Sequence, residues 1–359
     1  MSKRIVASAF FVLASFQAQA AERPPQFVAM AFDNCTELER WKELSDFAAA
    51  MNEGGDRLHF TFFVSGSNFI ADDDRNSYAS PLGRGLSRIG FGGSAEDVAR
   101  RIEFASDLVR RGHEIASHAV GHFNGAGWPA ETWRQEFRAF ERVLGAAKRL
   151  DGAGHFPLRA AGFRAPYLAA SADLYPVLRE FGFRYDTSGS GEPNAWPQKI
   201  GGIWRFNLAR LRLHRSTRAT LSMDYNFFVL QSRAVDDPRH YELFRDQILQ
   251  TYLDYFRANY HGNRAPLHIG HHFFDYQGGA YKEALKSFAR EVCGLAEVRC
   301  VTYSALADFL DAQSEETLAA FQKGDFPHYA EARAEAALAH DASRRDAARL
   351  PPEDGAFAR

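Results

Sequence analysis

The feature that most constrains the fold is a regular alternation of strand-like and helix-like segments. Residues 27–32, 59–64 and 114–118 are short runs rich in apolar, β-branched and aromatic side chains, and residues 36–51 and 95–111 have helical patterns. This alternation, with polar residues where the strands end, is typical of a β/α barrel or a doubly wound sheet. In such folds the functional site is built at the carboxyl ends of the strands.

The same alternation continues through the second half of the chain. The predicted elements there are helices over residues 130–150, 174–181, 241–259 and 304–312 and strands over residues 162–167, 183–185, 203–208, 267–274 and 298–303. Residues 70–94 are rich in Asp, Asn, Ser and Gly and are predicted to form a long loop of the kind that often has a function. No Gly-x-Gly-x-x-Gly follows the first strand, which argues against a dinucleotide-binding fold.

The first twenty residues have the pattern of a signal peptide. Lys3 and Arg4 precede an apolar run over residues 5–16, and Ala18-Gln19-Ala20 is a small-x-small cleavage site. The apolar run is too short to span a bilayer, which disfavours the alternative of a retained membrane anchor. We therefore expect an exported protein, periplasmic or extracellular, with no stable membrane insertion after cleavage.

The amino-acid composition narrows the classes of function that the chain can have. Basic and acidic side chains nearly balance, 43 against 45, so the chain lacks the charge of a nucleic-acid binder. Aromatic residues make up 14% of the chain, which permits a carbohydrate substrate without requiring one.

Cys293 and Cys300 enclose a short loop, and we expect them to pair in an oxidising compartment. Cys35 then remains free, and we interpret it as a buried thiol rather than a nucleophile.

Two histidines four residues apart indicate a metal site. His118 and His122 would share one face of a helical turn and could bind one cation together. Asp33, at the end of the first predicted strand, could supply a third ligand or a general base. The alternative is a pair of ordinary core or surface histidines. Taken together, the three residues favour a metal-assisted hydrolase.

Five short motifs in order resemble those of the NodB-homology polysaccharide deacetylases, carbohydrate esterase family four. They are Phe32-Asp33-Asn34, His118-Ala119-Val120-Gly121-His122, Arg164-Ala165-Pro166-Tyr167, Asp186-Thr187-Ser188 and Ile269-Gly270-His271. The resemblance covers about residues 26–310 and implies an α/β fold, a distorted (β/α)7-type barrel, as a catalytic domain over residues 21–312. Residues 313–359 are rich in Ala and charged residues and are predicted to form a peripheral helix and tail.

The resemblance implies a role for the first three motifs. Asp33 would be the general base, and Arg164 would orient it and keep it ionised. The ligands of Zn²⁺ or a similar divalent ion would be His118, His122 and the residue at position 34. That residue is Asn34 here, where the family has a carboxylate.

The resemblance also implies a general acid on a late strand. His271 would protonate the leaving amine, with support from Asp186. Strand alternation places His268 and His272 on one side and His271 nearer the other. The resemblance favours His271 over His268.

Two residues depart from the family pattern. Ala119 stands where the family has Ser or Thr, which removes a hydrogen bond but no ligand. Asn34 removes charge, because an amide oxygen binds hard cations less strongly than a carboxylate does. Three outcomes remain open: a weakened site of two histidines and Asn34, a site in which Asp33 turns to the metal, or a site without metal.

The predicted function is metal-dependent N-deacetylation of an N-acetylated cell-envelope or extracellular polysaccharide. Tyr167, Trp204 and Tyr225 are candidate stacking faces for the sugar rings of this glycan substrate. The alternatives are a metal-free amide hydrolase on the same scaffold and a carbohydrate-binding pseudoenzyme. The sequence indicates no nucleic-acid partner and leaves the glycan and the oligomeric state open.

Overall fold

The structure, a computed structural model, describes residues 22–55 and 57–326. The predicted signal peptide over residues 1–20 lies outside the described residues. Residues 327–359 of the predicted tail also lie outside them. The described start of that tail contains a helix, Glu315–Lys323. Within the described part of the chain, no helix is both long and apolar enough to cross a membrane.

The strands are short, and most of them are buried. In chain order they are β1 (Gln26–Asp33), β2 (Thr61–Val64), β3 (Ala79–Ser80), β4 (Gly83–Arg84), β5 (Glu114–Ser117), β6 (Gly162–Phe163), β7 (Tyr185–Asp186), β8 (Ser190–Gly191), β9 (Gln198–Ile200), β10 (Ile203–Arg205), β11 (Leu208–Arg212), β12 (Ala219–Leu221), β13 (Leu267–His272) and β14 (Val298–Cys300).

Most of the α-helices fall close to the predicted segments, whereas the helices over residues 224–232 and 276–292 were not predicted. In chain order the α-helices are α1 (Leu38–Asn52), α2 (Ala95–Arg110), α3 (Ala130–Leu150), α4 (Leu174–Glu180), α5 (Asp224–Ser232), α6 (Tyr241–Tyr260), α7 (Tyr276–Val292), α8 (Tyr303–Asp311) and α9 (Glu315–Lys323). Local side-chain and backbone chemistry explains where α2 begins and ends. Ser94 and Asp97 form a capping box at the start of α2, which satisfies amide groups that the helix leaves unpaired. Gly112 follows α2 with φ 88°, a conformation that glycine adopts at little cost.

Parallel strands form the central layer. They pair in the order β13-β1-β2-β5-β6-β7-β10, and β9 adds an antiparallel edge strand. The sheet curls into a half-barrel, which confirms the predicted distorted (β/α) barrel. A smaller sheet, β12-β11-β8, lies beside β13. The two are joined because the Gly270 amide donates to the Ser222 carbonyl at 2.8 Å.

Both faces of the central strands are covered. Val28, Met30 and Phe32 of β1 belong to the larger apolar cluster, which includes residues of α1, α2, α6 and α7. Ala29 and Ala31 face the other way, into a second cluster that includes α8. This double burial explains why the first strand reads as a nearly continuous apolar run. Asp33 ends the strand on the second face, where the site lies.

The cysteines pair as expected. Cys293 and Cys300 form a disulfide that links the end of α7 to β14. Cys35 is free and half-buried, and burial raises the pKa of its thiol to about 11. Because the thiolate is the nucleophilic form, this pKa agrees with its interpretation as an unreactive thiol.

The predicted long loop has internal structure. Residues 70–94 contain a 3₁₀ helix, Asp72–Ser77, and the short hairpin of β3 and β4. The Gly92 amide donates to the Ile70 carbonyl at 2.8 Å, which brings the two ends of the loop together. The loop is therefore a closed unit with its own secondary structure rather than an extended excursion.

Candidate active site

The centre of the site is a buried ion pair between the ends of two parallel strands. Asp33 ends β1, and Arg164 follows β6. Arg164 Nη1 donates to Asp33 Oδ1 at 2.6 Å, and both side chains are buried. Arg164 Nε also donates to the Thr187 hydroxyl at 2.8 Å, and its guanidinium carbon lies 4.3 Å from the centre of the Phe63 ring. The arginine is thus fixed from three directions and orients one carboxylate oxygen.

Arg164 also links this carboxylate to the first histidine of the pair. His118 Nδ1 lies 2.7 Å from the Arg164 carbonyl oxygen. Because a carbonyl only accepts, the proton must be on Nδ1, and Nε2 keeps its lone pair. The rings of His118 and His122 lie 5.0 Å apart between their centres. Burial lowers the pKa of His118 to about 4 and that of His122 to about 3. Both rings are therefore neutral near pH 7, the form that binds metals.

The two histidines do not lie on a helix, so the predicted helical turn is wrong. β5 ends at Ser117, and residues 118–122 form an irregular turn. Two non-glycine residues of the turn have positive φ angles, Ala119 at 59° and His122 at 55°. The four-residue spacing brings the rings together through this turn of the chain after a strand.

Asn34 uses its side-chain oxygen for the backbone. Its Oδ1 accepts from the Ser65 amide at 3.1 Å, and its own φ is 51°. Among the described residues, no group of three or more His, Cys, Asp or Glu side chains could hold a metal ion. His122 Nδ1 is buried and has no hydrogen-bond partner there. Two imidazoles in the metal-binding form are therefore available to a divalent cation, and Asn34 as a third ligand stays a prediction.

Strand pairing selects one histidine of β13 for the site. Across the β1–β13 pair, Asp33 lies beside His272 and Phe32 lies beside His271. Register partners in parallel strands project to the same face. His272 therefore shares the face of Asp33. His271 points into the helix layer, where its Nε2 lies 2.8 Å from the Tyr252 hydroxyl.

His268 lies deeper on the face of Asp33. Its ring is stacked between Phe206 and Tyr303, at 5.6 and 5.7 Å between centres. Burial lowers its pKa to about 3. The contacts make it part of the inner aromatic core.

The carboxylate beside the β13 histidines is Asp224, at the start of α5. Asp224 Oδ1 lies 2.7 Å from His272 Nδ1, and its Oδ2 accepts from the His272 amide at 2.8 Å. Burial alone would lower the pKa of His272, but the charge and hydrogen bond of Asp224 outweigh it and raise the pKa above 6.5. The polar cluster Asp224-Tyr225-Asn226 between apolar residues was visible in the sequence, but nothing there paired it with β13.

Asp186 has other partners. Its Oδ1 accepts from the Ser188 hydroxyl at 2.6 Å, and its Oδ2 lies 3.5 Å from Arg205. Ser188 in turn accepts from the Ala165 amide at 2.8 Å. Asp186 therefore supports the turn after Arg164, and within the described part of the chain its hydrogen bond and ion pair go to Ser188 and Arg205 rather than to a histidine of β13.

Aromatic side chains border the site on two sides. Tyr167 is 60% exposed, and its ring lies 4.8 Å from that of His122. Across the site, Tyr225 is 46% exposed and lies 6.3 Å from the ring of His272. Phe274, which the sequence analysis did not single out, is 52% exposed and lies 6.5 Å from the same ring.

Trp204 is not part of this border. It is 3% exposed, and its indole N–H donates to Asp311 of α8 at 2.8 Å. A ring buried in this way packs in the core and offers no face to a sugar. The prediction of a stacking role for Trp204 is therefore corrected by its burial.

Solved structures of similar shape were found at low sequence identity. A polysaccharide deacetylase, titled putative, from Mycobacterium smegmatis is 18% identical, with 82% of this chain and 96% of that chain covered at a TM-score of 0.47. A carbohydrate esterase family four pseudoenzyme from Bacillus anthracis is 9% identical, with 80% and 67% covered at a TM-score of 0.43. A variant of the peptidoglycan deacetylase PdaC from Bacillus subtilis is 13% identical, with 81% and 94% covered at a TM-score of 0.41. No curated protein matches the chain.

An arginine-bound carboxylate beside a carboxylate-bound histidine, at the carboxyl ends of barrel strands, is an arrangement suited to acid–base hydrolysis. Residues 20–185 match the family model described as polysaccharide deacetylase. This part of the chain, which contains β1 and both histidines of the turn, is thus similar to the polysaccharide deacetylase family, as the motifs predicted.

Proposed function

We propose that the protein removes acetyl groups from an N-acetylated cell-envelope or extracellular polysaccharide. The observation that carries the proposal is the pairing of Asp33 with His272 as neighbours on β1 and β13. Each has its own charged partner, Arg164 for Asp33 and Asp224 for His272. Two titratable groups in different environments are the minimum for base and acid in one reaction.

Asp33 is the general base in this proposal. Its Oδ1 is held by Arg164, which leaves Oδ2 to take a proton from water as the water oxygen attacks the acetyl carbon. The fixed orientation matters because a positioned base needs no reorganisation during the reaction. The C–N bond then breaks, and the products are acetate and a free amine.

His272 is the general acid. Its raised pKa keeps part of the population protonated near neutral pH, so it can give a proton to the departing nitrogen. Asp224 bonds to Nδ1, which turns Nε2 away from Asp224 and leaves that nitrogen to face the substrate. The sequence prediction of His271 with Asp186 is replaced here by His272 with Asp224.

His118 and His122 are the residues that would hold a divalent ion such as Zn²⁺. When bound, such an ion polarises a carbonyl and lowers the pKa of water. Their low pKa values favour this role, since ligands must be unprotonated. The first test is metal content and acetate release from an N-acetylated glucosamine oligomer, measured with and without added Zn²⁺.

The exposed aromatic border supports a sugar substrate. Tyr167 stands on one side of the histidines, and Tyr225 and Phe274 stand on the other. Aromatic rings with one exposed face are suited to stacking on apolar faces of sugar rings. The predicted signal peptide supports an activity in the periplasm or outside the cell.

A carbohydrate-binding protein without turnover is the second candidate, and Asn34 favours it. Its amide oxygen is engaged by Ser65 and carries no charge. A metal-free amide hydrolase is the third, since Asp33 and His272 do not require a metal to be in place. Glycan binding without acetate release would select the second. Acetate release that withstands EDTA and is abolished in Asp33→Asn would select the third.

A further inference from the structure

The turn that carries the two histidines is held by other parts of the chain. The carbonyl groups of its three middle residues accept from backbone amides outside the turn. These bonds are Gly66 N to Ala119 O at 2.8 Å, Ser67 N to Val120 O at 3.1 Å and Arg88 N to Gly121 O at 2.9 Å. The carbonyl side of the turn is therefore bound to the segment after β2 and to the 70–94 loop.

A buried carboxylate binds the amide side. Glu136 lies on α3 and is 0% exposed. Its Oε1 accepts from the Val120 amide at 2.8 Å and from the Gly121 amide at 3.1 Å. Two consecutive amides that converge on one oxygen fix the direction of the turn between His118 and His122. Buried amides without such an acceptor would be costly.

The second oxygen of Glu136 is bound to the loop. Tyr78, a buried residue between the 3₁₀ helix and β3, donates its hydroxyl to Glu136 Oε2 at 2.7 Å. A Cβ placed on Gly121 would lie 2.8 Å from the same hydroxyl. The phenol therefore packs directly against the turn, and the loop and the turn share one carboxylate.

We propose that Glu136 is a positioning residue that sets the orientation of His122 relative to His118, and that Tyr78 fixes Glu136 in this role. A strand end with positive φ at Ala119 and His122 does not hold such a turn by itself, because this conformation is uncommon for residues with a side chain. The inference rests on the proposed function only in that these two histidines belong to the site.

The test compares three substitutions of acidic residues on α3. Glu136→Leu removes both acceptor oxygens, whereas Glu136→Gln keeps one oxygen for the two amides. Glu141→Gln is the matched control, since Glu141 lies on the same helix with its side chain in solvent. Long-range ¹H–¹⁵N spectra of the imidazoles in metal-free protein report the environment of each histidine without requiring turnover.

We expect the His122 signals to be displaced in Glu136→Leu, displaced less in Glu136→Gln and unchanged in Glu141→Gln. The His272 signals should stay in place in all three. Where acetate release is measurable, kcat should fall roughly ten-fold or more in Glu136→Leu with KM within about two-fold, because misplaced groups mainly lower the rate of the chemical step. Glu136→Gln should recover most of that loss.

Unchanged His122 signals in both Glu136 variants, or His272 signals displaced as much as those of His122, would overturn the proposal. If Glu136→Leu does not fold, Glu136→Gln and Tyr78→Phe decide the matter by the same spectra against Glu141→Gln. A wild-type protein that releases no acetate would overturn the proposed function, while the imidazole spectra would still decide the role of Glu136.

Discussion

His272 lies directly beside Asp33 across the β1–β13 pair, while its neighbour His271 lies beside Phe32. One step along the strand thus separates a histidine of the site from a histidine of the helix layer. The alternation of side chains along the strand decides which imidazole shares the face of Asp33. His271 is instead bound to Tyr252 and packs against Phe32.

Replacing each of these two histidines should give different results. His272→Gln should lower kcat for deacetylation roughly 10²–10⁴-fold, the range of a general acid. His271→Gln should keep most of the activity and mainly lower stability, because it disturbs a buried contact with Tyr252. Steady-state kinetics and urea denaturation of both variants check this. Equal activity loss in the two would contradict the assignment of His272.

The pH dependence should follow the Asp224–His272 pair. His272 must be protonated to act as the acid, so activity falls as pH rises through its raised pKa. Asp224→Asn removes the charge that raises this pKa, and the falling limb of the pH–rate profile should move to lower pH. Asp186→Asn is the control, since Asp186 is bound to Ser188 and Arg205 instead. A limb that stays in place in Asp224→Asn would contradict the pairing.

The same pair should contribute to stability in a defined pH range. The pKa of His272 is higher in the folded protein than its ordinary value of 6.5. Its contribution is therefore complete below pH 6.5 and is lost as pH rises through the folded pKa. The difference in unfolding free energy between wild type and Asp224→Asn should accordingly shrink above pH 6.5. Urea denaturation at a series of pH values measures it, and a difference that grows with pH would contradict the linkage.

The sequence predicted the alternation of strands and helices better than the contacts between distant parts of the chain. The polar residue after the first strand led to Asp33, the four-residue spacing of two histidines led to His118, and the family resemblance led to Arg164. Asp224 and His272 lie 48 residues apart, and they meet because β12 joins β13 at Ser222 and Gly270. Strand alternation had grouped His272 with His268, but the register with β1 is a tertiary property that no local pattern contains.

The turn of the two histidines shows a similar limit. A spacing of four residues is compatible with a helix and with a tight turn after a strand. Which one forms depends on the bonds that Glu136 and the segment after β2 make to the backbone of the turn. Such bonds join parts of the chain that are distant in sequence, so periodicity alone could not indicate them.

The Asp33–Arg164 pair should be necessary for stability as well as for activity. Arg164→Leu leaves a buried carboxylate without its partner, which typically costs about 3–5 kcal/mol. The double variant Asp33→Asn/Arg164→Leu removes both charges and should recover part of that loss, though not the activity. Urea denaturation of the single and double variants measures the effect. A double variant less stable than Arg164→Leu would contradict the argument that the unpaired charge is the cause.

Aromatic contacts should determine substrate binding rather than the chemical step. Tyr225→Ala and Tyr167→Ala each remove an exposed ring beside a histidine of the site, so KM should rise several-fold with kcat little changed, as expected for uniform binding. Phe309 offers a control ring: Phe309→Leu changes a half-buried aromatic of α8 that packs against Phe27 and should leave KM unchanged. An unchanged KM in both tyrosine variants would remove the aromatic border from the substrate site.

The last prediction concerns Asn34→Asp. A carboxylate at position 34 can keep the bond from the Ser65 amide with one oxygen and offer the other, with its negative charge, to a cation held by His118 and His122. We expect the affinity for Zn²⁺ to rise at least roughly ten-fold, because Zn²⁺ binds carboxylate oxygen more strongly than amide oxygen. Isothermal titration measures the affinity, and the control is Asn68→Asp, a change in a buried asparagine whose side chain donates to the Cys35 carbonyl. If affinity rises and acetate release rises with it, the wild-type site is a weakened version of a metal hydrolase site. If affinity rises without turnover, the missing charge is not what limits catalysis, and a binding role for the cleft is favoured. Unchanged affinity would mean that His118 and His122 do not form a metal site with position 34.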